Sequence, residues 1–457
     1  MREIGHVLDF HVPDHMSVQV EGVAIDSRTV KKGMLFFALQ GERVDGHHFI
    51  DEAFQRGACG AVVRKSKFSS SGSYGRGVLI SVEDPLEALQ NVATHFRKQL
   101  SIPVIAVTGT NGKTTTKEMI AAVLETRFRV MKSPGNYNNQ IGLALSICDW
   151  DRNGEIGVVE MGTNHFGEIH RLCQIAQPTH GVITNIGKGH LEFFGHIEGV
   201  SRAKAELLEY LGEKGEAFIN GDDIYLYPLK NIVKKTVTYG FSDRCDIRGQ
   251  MLSEANGSGF SRMRIGKNTL KISVPGQFNL YNGLAAVSVG RQFGISWKEI
   301  KKILEGYRPL EKRMEVLRFS EIVILNDTYN ANPTSLQEAL KVLKTFQKGG
   351  RKIVVLGDML ELGKKSKEEH RMIGEWIVDY HVDMFFSYGP EMKSAAEHAK
   401  ALGFKKVNHY DLKEDLINEL LSILQEKDVV LVKGSRGMQM EEVVERLRNI
   451  LQTGSKE

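Results

Sequence analysis

Residues 108–116, with the sequence T-G-T-N-G-K-T-T-T, constrain this chain more than any other stretch. An apolar run at 102–107 precedes them, and apolar residues at helical spacing (Met119, Ile120, Val123, Leu124) follow. A glycine-rich turn between a strand and a helix directs backbone N–H groups and the positive helix end toward one point. The stretch therefore predicts a phosphate-binding loop and a nucleotide site.

The residue types in this loop predict specific roles. Lys113 can reach the β- and γ-phosphates, and Thr114 can ligate magnesium. The loop is a short variant, since Val107 stands where the usual motif carries its first glycine. The alternative is a tight turn with a chance lysine, but the strand and helix around the loop favour nucleotide binding. The residues predicted to contact the nucleotide here are Gly109, Thr110, Asn111, Gly112, Lys113, Thr114 and Thr115.

Length and composition exclude several classes of protein. The 457 residues are enough for about three domains, and 41% hydrophobic with 25% charged residues is typical of globular proteins. A net charge of +4 is too small to indicate nucleic acid as a partner, and no segment predicts a membrane span or export signal. The four scattered cysteines predict reduced thiols. We expect a cytoplasmic protein.

Apolar runs and helical stretches divide the chain into three α/β parts. Residues 1–82 predict a small α/β domain, and residues 83–312 a central domain whose parallel sheet carries the phosphate loop. From 313 to 457, apolar runs near 322, 353, 384 and 429 alternate with helical segments, which predicts a doubly wound, Rossmann-like parallel sheet. No G-x-G-x-x-G follows its first strand, so a dinucleotide site is not expected.

Polar residues at predicted strand ends are candidates for the site. Glu160 ends a buried strand, where phosphate-loop enzymes hold magnesium, although a capping carboxylate is the alternative. His190 follows another strand in a glycine-rich loop, and the alternative is a structural histidine. The amide-rich loop at 133–142 contains Asn138 and Asn139, which suit substrate binding or turn formation.

For other segments the sequence favours neither a functional nor a purely structural role. The 26–28 and 41–49 segments place polar groups after apolar runs, which suits ligand binding or simple turns with an Arg28–Asp26 pair. Asn279 and Asn282 share a helix face and can cap it or contact a base. Lys204 is by default a solvated lysine. The group at 433–436 is predicted to open the last helix and to resemble an anion site.

The motifs taken together resemble one family. G-T-N-G-K-T-T, E-M-G, G-H-L-E, A-K-A-E and the pairing D-S-R…D-G-H are similar, in order and spacing along the whole chain, to those of the Mur ligases. These are ATP-dependent amide-forming enzymes of peptidoglycan synthesis. The loops at 327–333 and 357–363 resemble those of the members that act on D-alanyl-D-alanine and UDP-N-acetylmuramoyl-tripeptide. The resemblance implies these two substrates, and we expect a monomeric enzyme.

The resemblance also implies residue roles. ATP would phosphorylate a substrate carboxylate, and an amine would then displace phosphate. Glu160, Thr114 and His190 match magnesium ligands, while Lys204 matches a lysine carried as a carbamate beside a second Mg²⁺ ion. The matches to nucleotide-binding positions are Asn279, Asn282, Arg313 and Asp327; those to the UDP-sugar segments are Ser27, Arg28, Arg43, Asp45 and His47; and those to other substrate loops are Asn138, Asn139, Tyr329, Asn330 and Asn332. Phe278 stands where relatives often carry histidine.

Two other classes of enzyme are alternatives to this interpretation. A folate-polyglutamylating ligase shares the loop and the chemistry but has no need of the D-S-R…D-G-H domain. A nucleotide-hydrolysing switch or motor needs an aspartate at the neighbouring strand end and an N-K-x-D segment, and neither stands where expected.

Overall fold

Three β-sheets follow one another along the chain, each with helices packed against it. The structure, a computed structural model, describes residues 1–11, 18–68, 72–74, 77–252, 259–346 and 349–453. The three sheets lie within 22–82, 104–272 and 315–433. The predicted fold class, three α/β parts with mainly parallel sheets, is confirmed.

The N-terminal sheet has five strands in the order β1-β2-β3-β5-β4, parallel except for the β4–β5 pair. Its β2 side chains Leu35, Phe36 and Phe37 are all buried, as expected for a parallel strand covered on both faces. The elements are α1 Arg2–Val7, β1 Gly22–Ala24, β2 Met34–Phe37, α2 Ile50–Gln55, β3 Gly60–Arg64, β4 Gly72–Tyr74, β5 Gly77–Val82 and α3 Pro85–Gln99.

The central sheet has nine strands in the order β14-β13-β12-β11-β10-β9-β6-β8-β7. The phosphate loop leaves β6 in its parallel part, and β12–β14 form an antiparallel extension. The elements are β6 Val104–Thr108, α4 Lys113–Leu124, β7 Val130–Lys132, α5 Gln140–Cys148, β8 Ile156–Glu160, α6 Glu168–Ala176, β9 His180–Ile183, α7 Leu191–Phe194, α8 Ile197–Leu211, β10 Glu216–Asn220, β11 Lys235–Gly240, β12 Ile247–Met251, β13 Ser261–Ile265, β14 Asn268–Ile272, α9 Gln277–Gln292 and α10 Trp297–Gly306.

The C-terminal sheet has the order β15-β16-β20-β17-β18-β19, with β15 as an antiparallel edge. The elements are β15 Glu315–Phe319, β16 Ile322–Asp327, α11 Pro333–Thr345, β17 Lys352–Gly357, α12 Ser366–Asp379, β18 Met384–Tyr388, α13 Met392–Ala401, β19 Val407–Tyr410, α14 Lys413–Ile423, β20 Val429–Lys433 and α15 Glu441–Thr453. One prediction is wrong here. Lys433 ends β20, Arg436 begins a short 3₁₀ helix and α15 starts only at Glu441, so the 433–436 group does not open the last helix.

Arg97, near the end of α3, ties this helix to the central part. Its guanidinium is buried and donates to four carbonyl oxygens, those of Leu100, Ile102, Ala176 and Gln177, at 2.6–3.1 Å. Burial lowers the pKa of this guanidinium. A planar fork of donors suits this arrangement because several carbonyls can be satisfied by one side chain.

Candidate functional site

A cleft of about 900 Å³ lies between the carboxyl ends of the central strands and the C-terminal part. Parallel sheets commonly bind ligands at this edge. Seventeen of the predicted site residues line it: Thr110, Asn111, Gly112, Lys113, Thr114, Thr115, Asn138, Asn139, Glu160, His190, Asn279, Asn282, Arg313, Asp327, Tyr329, Asn330 and Asn332. Gly109, Lys204 and the five N-terminal candidates do not line it.

The phosphate loop turns tightly at two glycines. Gly112 has φ +79° and comes directly before α4, and a Cβ there would lie 2.5 Å from Asn282 Oδ1. At Gly109, with φ +141°, a Cβ would lie 2.0 Å from Thr184 Oγ1. Only glycine fits both positions, because a side chain would be strained and would also clash. The loop is thereby held against Thr184, the residue that directly follows β9.

Lys113, the first residue of α4, folds back over its own loop. Its ammonium donates to Gly109 O at 2.9 Å and to Thr110 O at 3.0 Å. Burial lowers the pKa of this ammonium, and the carboxylate of Glu160 opposes that shift. The lysine is therefore a half-buried cation whose present partners are neutral carbonyls, and it can exchange them for an anion.

Glu160 ends β8 and is 1% exposed. Its Oε1 accepts from Asn138 Nδ2 at 2.8 Å, and its backbone N–H donates to Ser133 Oγ at 3.1 Å. Its Oε2 is buried without a hydrogen-bond partner among the described residues. A buried carboxylate oxygen without a partner is costly, so this oxygen is available to a cation.

Lys117 secures the loop that carries Asn138. It is fully buried on α4 and donates to Ser133 O at 2.6 Å and to Gly135 O at 2.8 Å. The neighbouring Asn139 uses its side chain as a helix cap, accepting from Gly142 N at 2.8 Å. Of the two predicted asparagines, therefore, one contacts the strand-end carboxylate and the other stabilises α5.

His190 adopts a left-handed conformation with φ +54° immediately before α7. Its Nδ1 lies 2.6 Å from Glu361 Oε2, in the C-terminal part. The nearby ring of His190 lowers the pKa of Glu361. Sequence reasoning did not single out Glu361, although it belongs to the 357–363 loop that carries part of the family resemblance.

Arg313 and Thr114 join the central and C-terminal parts across the cleft. Arg313 Nη2 donates to Thr114 Oγ1 at 3.0 Å, and its guanidinium lies 3.7 Å from the ring centroid of Tyr329. Asn332 caps α11, and its Nδ2 donates to Asn111 Oδ1 at 2.8 Å. The hydrogen bonds Arg313–Thr114 and Asn332–Asn111 join residues 199 and 221 positions apart.

Asp327 and Lys433 form an ion pair at the ends of β16 and β20. Asp327 Oδ1 also accepts from Met314 N at 3.0 Å, and Lys433 Nζ donates to Asn330 O at 2.8 Å. Lys433 is 2% exposed and lines the cleft, as does the exposed Arg436. The sequence predicted that this group resembles an anion site, but only the pairing of the strands shows that Asp327 neutralises its lysine.

The side chains of Asn279 and Asn282 are hydrogen-bonded to each other on α9. Asn282 Nδ2 donates to Asn279 Oδ1 at 3.0 Å, and Asn282 Oδ1 accepts from Thr116 Oγ1 at 3.0 Å. Both are buried, and Phe278 lines the cleft beside them. The expectation that the two asparagines share a face is confirmed.

Lys204 is not the solvated lysine that its sequence context favoured. It lies on α8 and is 1% exposed, so the default expectation is wrong. Burial, and next the charge of Lys113, hold the pKa of its ammonium well below the usual value. The apolar side chains of α8 pack against the sheet, and Lys204 is buried on the same helix.

The N-terminal candidates lie apart from the cleft. Asp45 pairs with Lys67, which lowers the pKa of its carboxyl, and lies 2.6 Å from His47 Nδ1. His47 Nε2 accepts from Arg64 N at 2.9 Å. The remaining three are placed as follows: Ser27 donates to Glu52 Oε2 at 2.8 Å, Arg28 pairs with Asp26, and Arg43 is exposed. These side chains form turns and ion pairs around α2, as the alternative interpretation expected.

Two negative findings apply to the part of the chain that the structure describes. No group of three or more His, Cys, Asp or Glu side chains converges there as a metal cluster. Within the same residues, no helix has the length and apolar character needed to cross a membrane.

Three stretches match family profiles. Residues 19–97 match "Mur ligase family, catalytic domain", residues 107–290 match "Mur ligase middle domain", and residues 312–436 match "Mur ligase, glutamate ligase domain".

Relatives match along nearly their whole length. The chain is 38% identical to UDP-N-acetylmuramoyl-tripeptide–D-alanyl-D-alanine ligase of Bacillus subtilis, covering 95% of this chain and 94% of that one. The enzyme of the same name from Escherichia coli is 31% identical, with 94% of each chain covered. A structure of MurF from Acinetobacter baumannii gives a TM-score of 0.87 at 28% identity, covering 98% of both chains. MurF ligase from Thermotoga maritima in complex with ADP gives 0.83 at 30% identity, covering 97% of this chain and 100% of that one.

Proposed function

The chain belongs to the Mur ligase family, and we propose that it is the ATP-dependent ligase that joins D-alanyl-D-alanine to UDP-N-acetylmuramoyl-tripeptide in peptidoglycan synthesis. One observation carries the proposal: the phosphate loop and the 327–332 loop face each other across one cleft. A nucleotide on the first and an amine on the second would meet there. The full-length similarity to enzymes of this name supports the same conclusion.

The reaction has two steps. An oxygen of the substrate carboxylate attacks the γ-phosphorus of ATP, which forms an acyl phosphate and releases ADP. The amine then attacks the acyl carbon, the carbon–oxygen bond to phosphate breaks, and the amine proton is lost. Lys113 would turn from the carbonyls of Gly109 and Thr110 to the transferring phosphoryl group. The loop N–H groups and the α4 N-terminus would stabilise the same charge.

We propose Glu160, Thr114 and His190 as the residues that hold magnesium. The buried Glu160 Oε2 without a partner fits a cation, and Thr114 Oγ1 lines the same cleft. Magnesium keeps several waters and binds through few protein oxygens plus phosphates, so a three-carboxylate cluster is not required. When bound, it supplies charge neutralisation on the phosphate oxygens. His190 is engaged by Glu361 and would have to exchange that partner.

We further propose that Lys204 is carbamylated and completes a site for a second Mg²⁺ ion. Carbamylation adds carbon dioxide to the neutral amine with loss of one proton, and the burial that lowers the Lys204 pKa favours the neutral amine. Lys204→Ala should then lose nearly all activity and regain part of it with acetate or formate. The control, Lys214→Ala, changes an exposed lysine. A ¹³C signal from ¹³CO₂ that is present in the unmodified protein and absent in Lys204→Ala would support the carbamate; identical spectra would contradict it.

We assign the remaining predicted residues by their place around the cleft. Asn279, Asn282, Arg313 and Asp327 would hold the nucleotide, with Phe278 in place of a histidine at the adenine. Tyr329, Asn330, Asn332 and the exposed Arg436 would receive the dipeptide, whose carboxylate suits the Arg436 guanidinium. Asn138 and Asn139 would face the tripeptide.

The N-terminal part would hold the UDP-sugar through Ser27, Arg28, Arg43, Asp45 and His47. Asp45 and His47 would act there mainly by shaping the turn, since their side chains already have partners. We propose domain boundaries of 1–82, 83–312 and 313–457, which the extents of the three sheets support. We also propose that the enzyme is monomeric and works in the cytoplasm.

The function is tested by ADP release from ATP with purified substrates. We expect release that requires both UDP-N-acetylmuramoyl-tripeptide and D-alanyl-D-alanine, with D-alanine alone a poor substitute. Arg436→Ala should raise the KM for the dipeptide by about ten- to a hundred-fold, since a charge-assisted hydrogen bond contributes about 1.5–3 kcal/mol. Turnover of a UDP-muramoyl-dipeptide with a free diamino acid would instead assign the preceding ligase of the pathway.

A further inference from the structure

The loop between β9 and α7 contacts the C-terminal part at the cleft wall, through Thr334, and outside the cleft, through Glu369. Lys188 Nζ lies 2.6 Å from Glu369 Oε1 on α12, and Lys188 N donates to Thr334 Oγ1 on α11 at 3.1 Å. Neither Lys188 nor Glu369 lines the cleft, whereas the next two residues in the chain, Gly189 and His190, do. This loop therefore connects an interdomain ion pair directly to a cleft wall.

The two charges of this pair differ in burial. The Lys188 side chain is 42% exposed, but that of Glu369 is only 4% exposed. Glu369 Oε2 has no hydrogen-bond partner within the described residues, so the contact with Lys188 is what stabilises this carboxylate. Exposed ion pairs contribute little to the free energy of folding, but a buried charge that loses its partner is strongly destabilising. The pair joins the two parts, so loss of the lysine charge removes an interaction that only the docked arrangement provides.

We propose that Lys188 and Glu369 are positioning residues for ligation, because their ion pair holds the C-terminal domain docked on the phosphate-loop domain. Docking is what brings the 327–332 loop opposite the phosphate loop. The contact between these two domains includes a close approach of Gly363 to Glu192, where a Cβ added to Gly363 would lie 2.9 Å from Glu192 Cα. It also includes a backbone hydrogen bond from Glu192 N to Glu361 O, at 3.1 Å. The Glu192 amide therefore reports docking directly.

Hydrogen exchange of the peptide that contains Glu192 tests the proposal on the full chain. We expect Lys188→Met and Glu369→Gln each to speed this exchange by about ten-fold or more, with exchange in β20 unchanged. The double variant Lys188→Glu with Glu369→Lys restores the pair and should return to the unmodified rate. Glu414→Gln is the matched control, since it breaks an exposed pair with Arg446 inside the C-terminal part. Unchanged exchange in both single variants, or no restoration in the double variant, would overturn the inference.

The effect on ligation rests on the proposed function. The single variants should lower kcat by about ten-fold with a smaller change in the KM for ATP, and the charge-reversed double variant should recover it; a loss caused by misfolding would not be recovered. If exchange responds as expected while the unmodified protein shows no ligation, the proposed function fails and the docking inference stands.

Discussion

Replacing Lys113 by methionine separates its chemical role from its contribution to folding. Methionine keeps most of the apolar stem and removes the ammonium, which donates two hydrogen bonds in the structure. Two hydrogen bonds from a charged donor contribute about 3–6 kcal/mol, but a charge whose pKa is lowered by burial costs free energy to keep. These terms oppose each other, so we expect the free energy of unfolding to change by less than about 2 kcal/mol.

The effect on catalysis should be much larger. The ammonium is the positive charge that can follow the transferring phosphoryl group, and removing such a group costs about 4 kcal/mol of transition-state stabilisation, about 10³-fold in rate. Phosphate release with ATP and both substrates measures this, alongside thermal unfolding with and without ADP. Lys214→Met, at an exposed position, is the control. Turnover of Lys113→Met within about ten-fold of the unmodified rate, with the fold intact, would refute the assignment of the loop.

The pH dependence of catalysis follows from the lowered pKa of the Lys113 ammonium. A lysine whose pKa is lowered loses its charge at a lower pH than a solvated lysine does. The kcat/KM for ATP, which reports the free enzyme, should therefore fall on the alkaline side at a pH below the usual lysine value of about 10.4. A profile that stays flat to that pH would contradict the importance of this charge.

Three further predictions test other parts of the molecule. Gly109→Ala should abolish the ADP-induced rise in Tm, because the new Cβ would lie 2.0 Å from Thr184 Oγ1, whereas Gly306→Ala, with no atom within 4 Å, should retain it. Arg97→Met should lower the free energy of unfolding by about 3–5 kcal/mol in urea titrations, since four carbonyls lose their donor; a loss below about 1 kcal/mol would show that water replaces the guanidinium. His180 has its pKa lowered to about 4 by burial, so between about pH 6.5 and 4 the unfolded chain binds the proton and stability falls with falling pH, by at most about 1.4 kcal/mol per unit. His180→Phe should reduce that fall, which urea unfolding at pH 7 and pH 5 measures. An equal loss of unfolding free energy between these two pH values in both proteins would contradict the assignment.

Much of the fold could be predicted because the relevant signals are local. The start of α3, Pro85–Gln99, is set locally, because Asp84 caps it by accepting from Leu86 N at 3.0 Å. The apolar runs near 322, 353, 384 and 429 are β16, β17, β18 and β20. Such runs report burial on both faces of a parallel sheet wherever they occur in the chain. Sequence could not place the antiparallel edge β15, since strand pairing depends on partners far along the chain.

By itself, the sequence determined the strand, glycine loop and helix of the phosphate site, because φ values, glycine spacing and helix ends are properties of a few consecutive residues. Only the tertiary structure decided which side chains become partners. Lys204 is buried because its helix packs on the central sheet, and its neighbours in the chain do not reveal this. Asn111 meets Asn332, and His190 meets Glu361, only because two domains dock. Burial and charge pairing are set by groups distant in sequence, so the electrostatics of the cleft belong to the assembled fold.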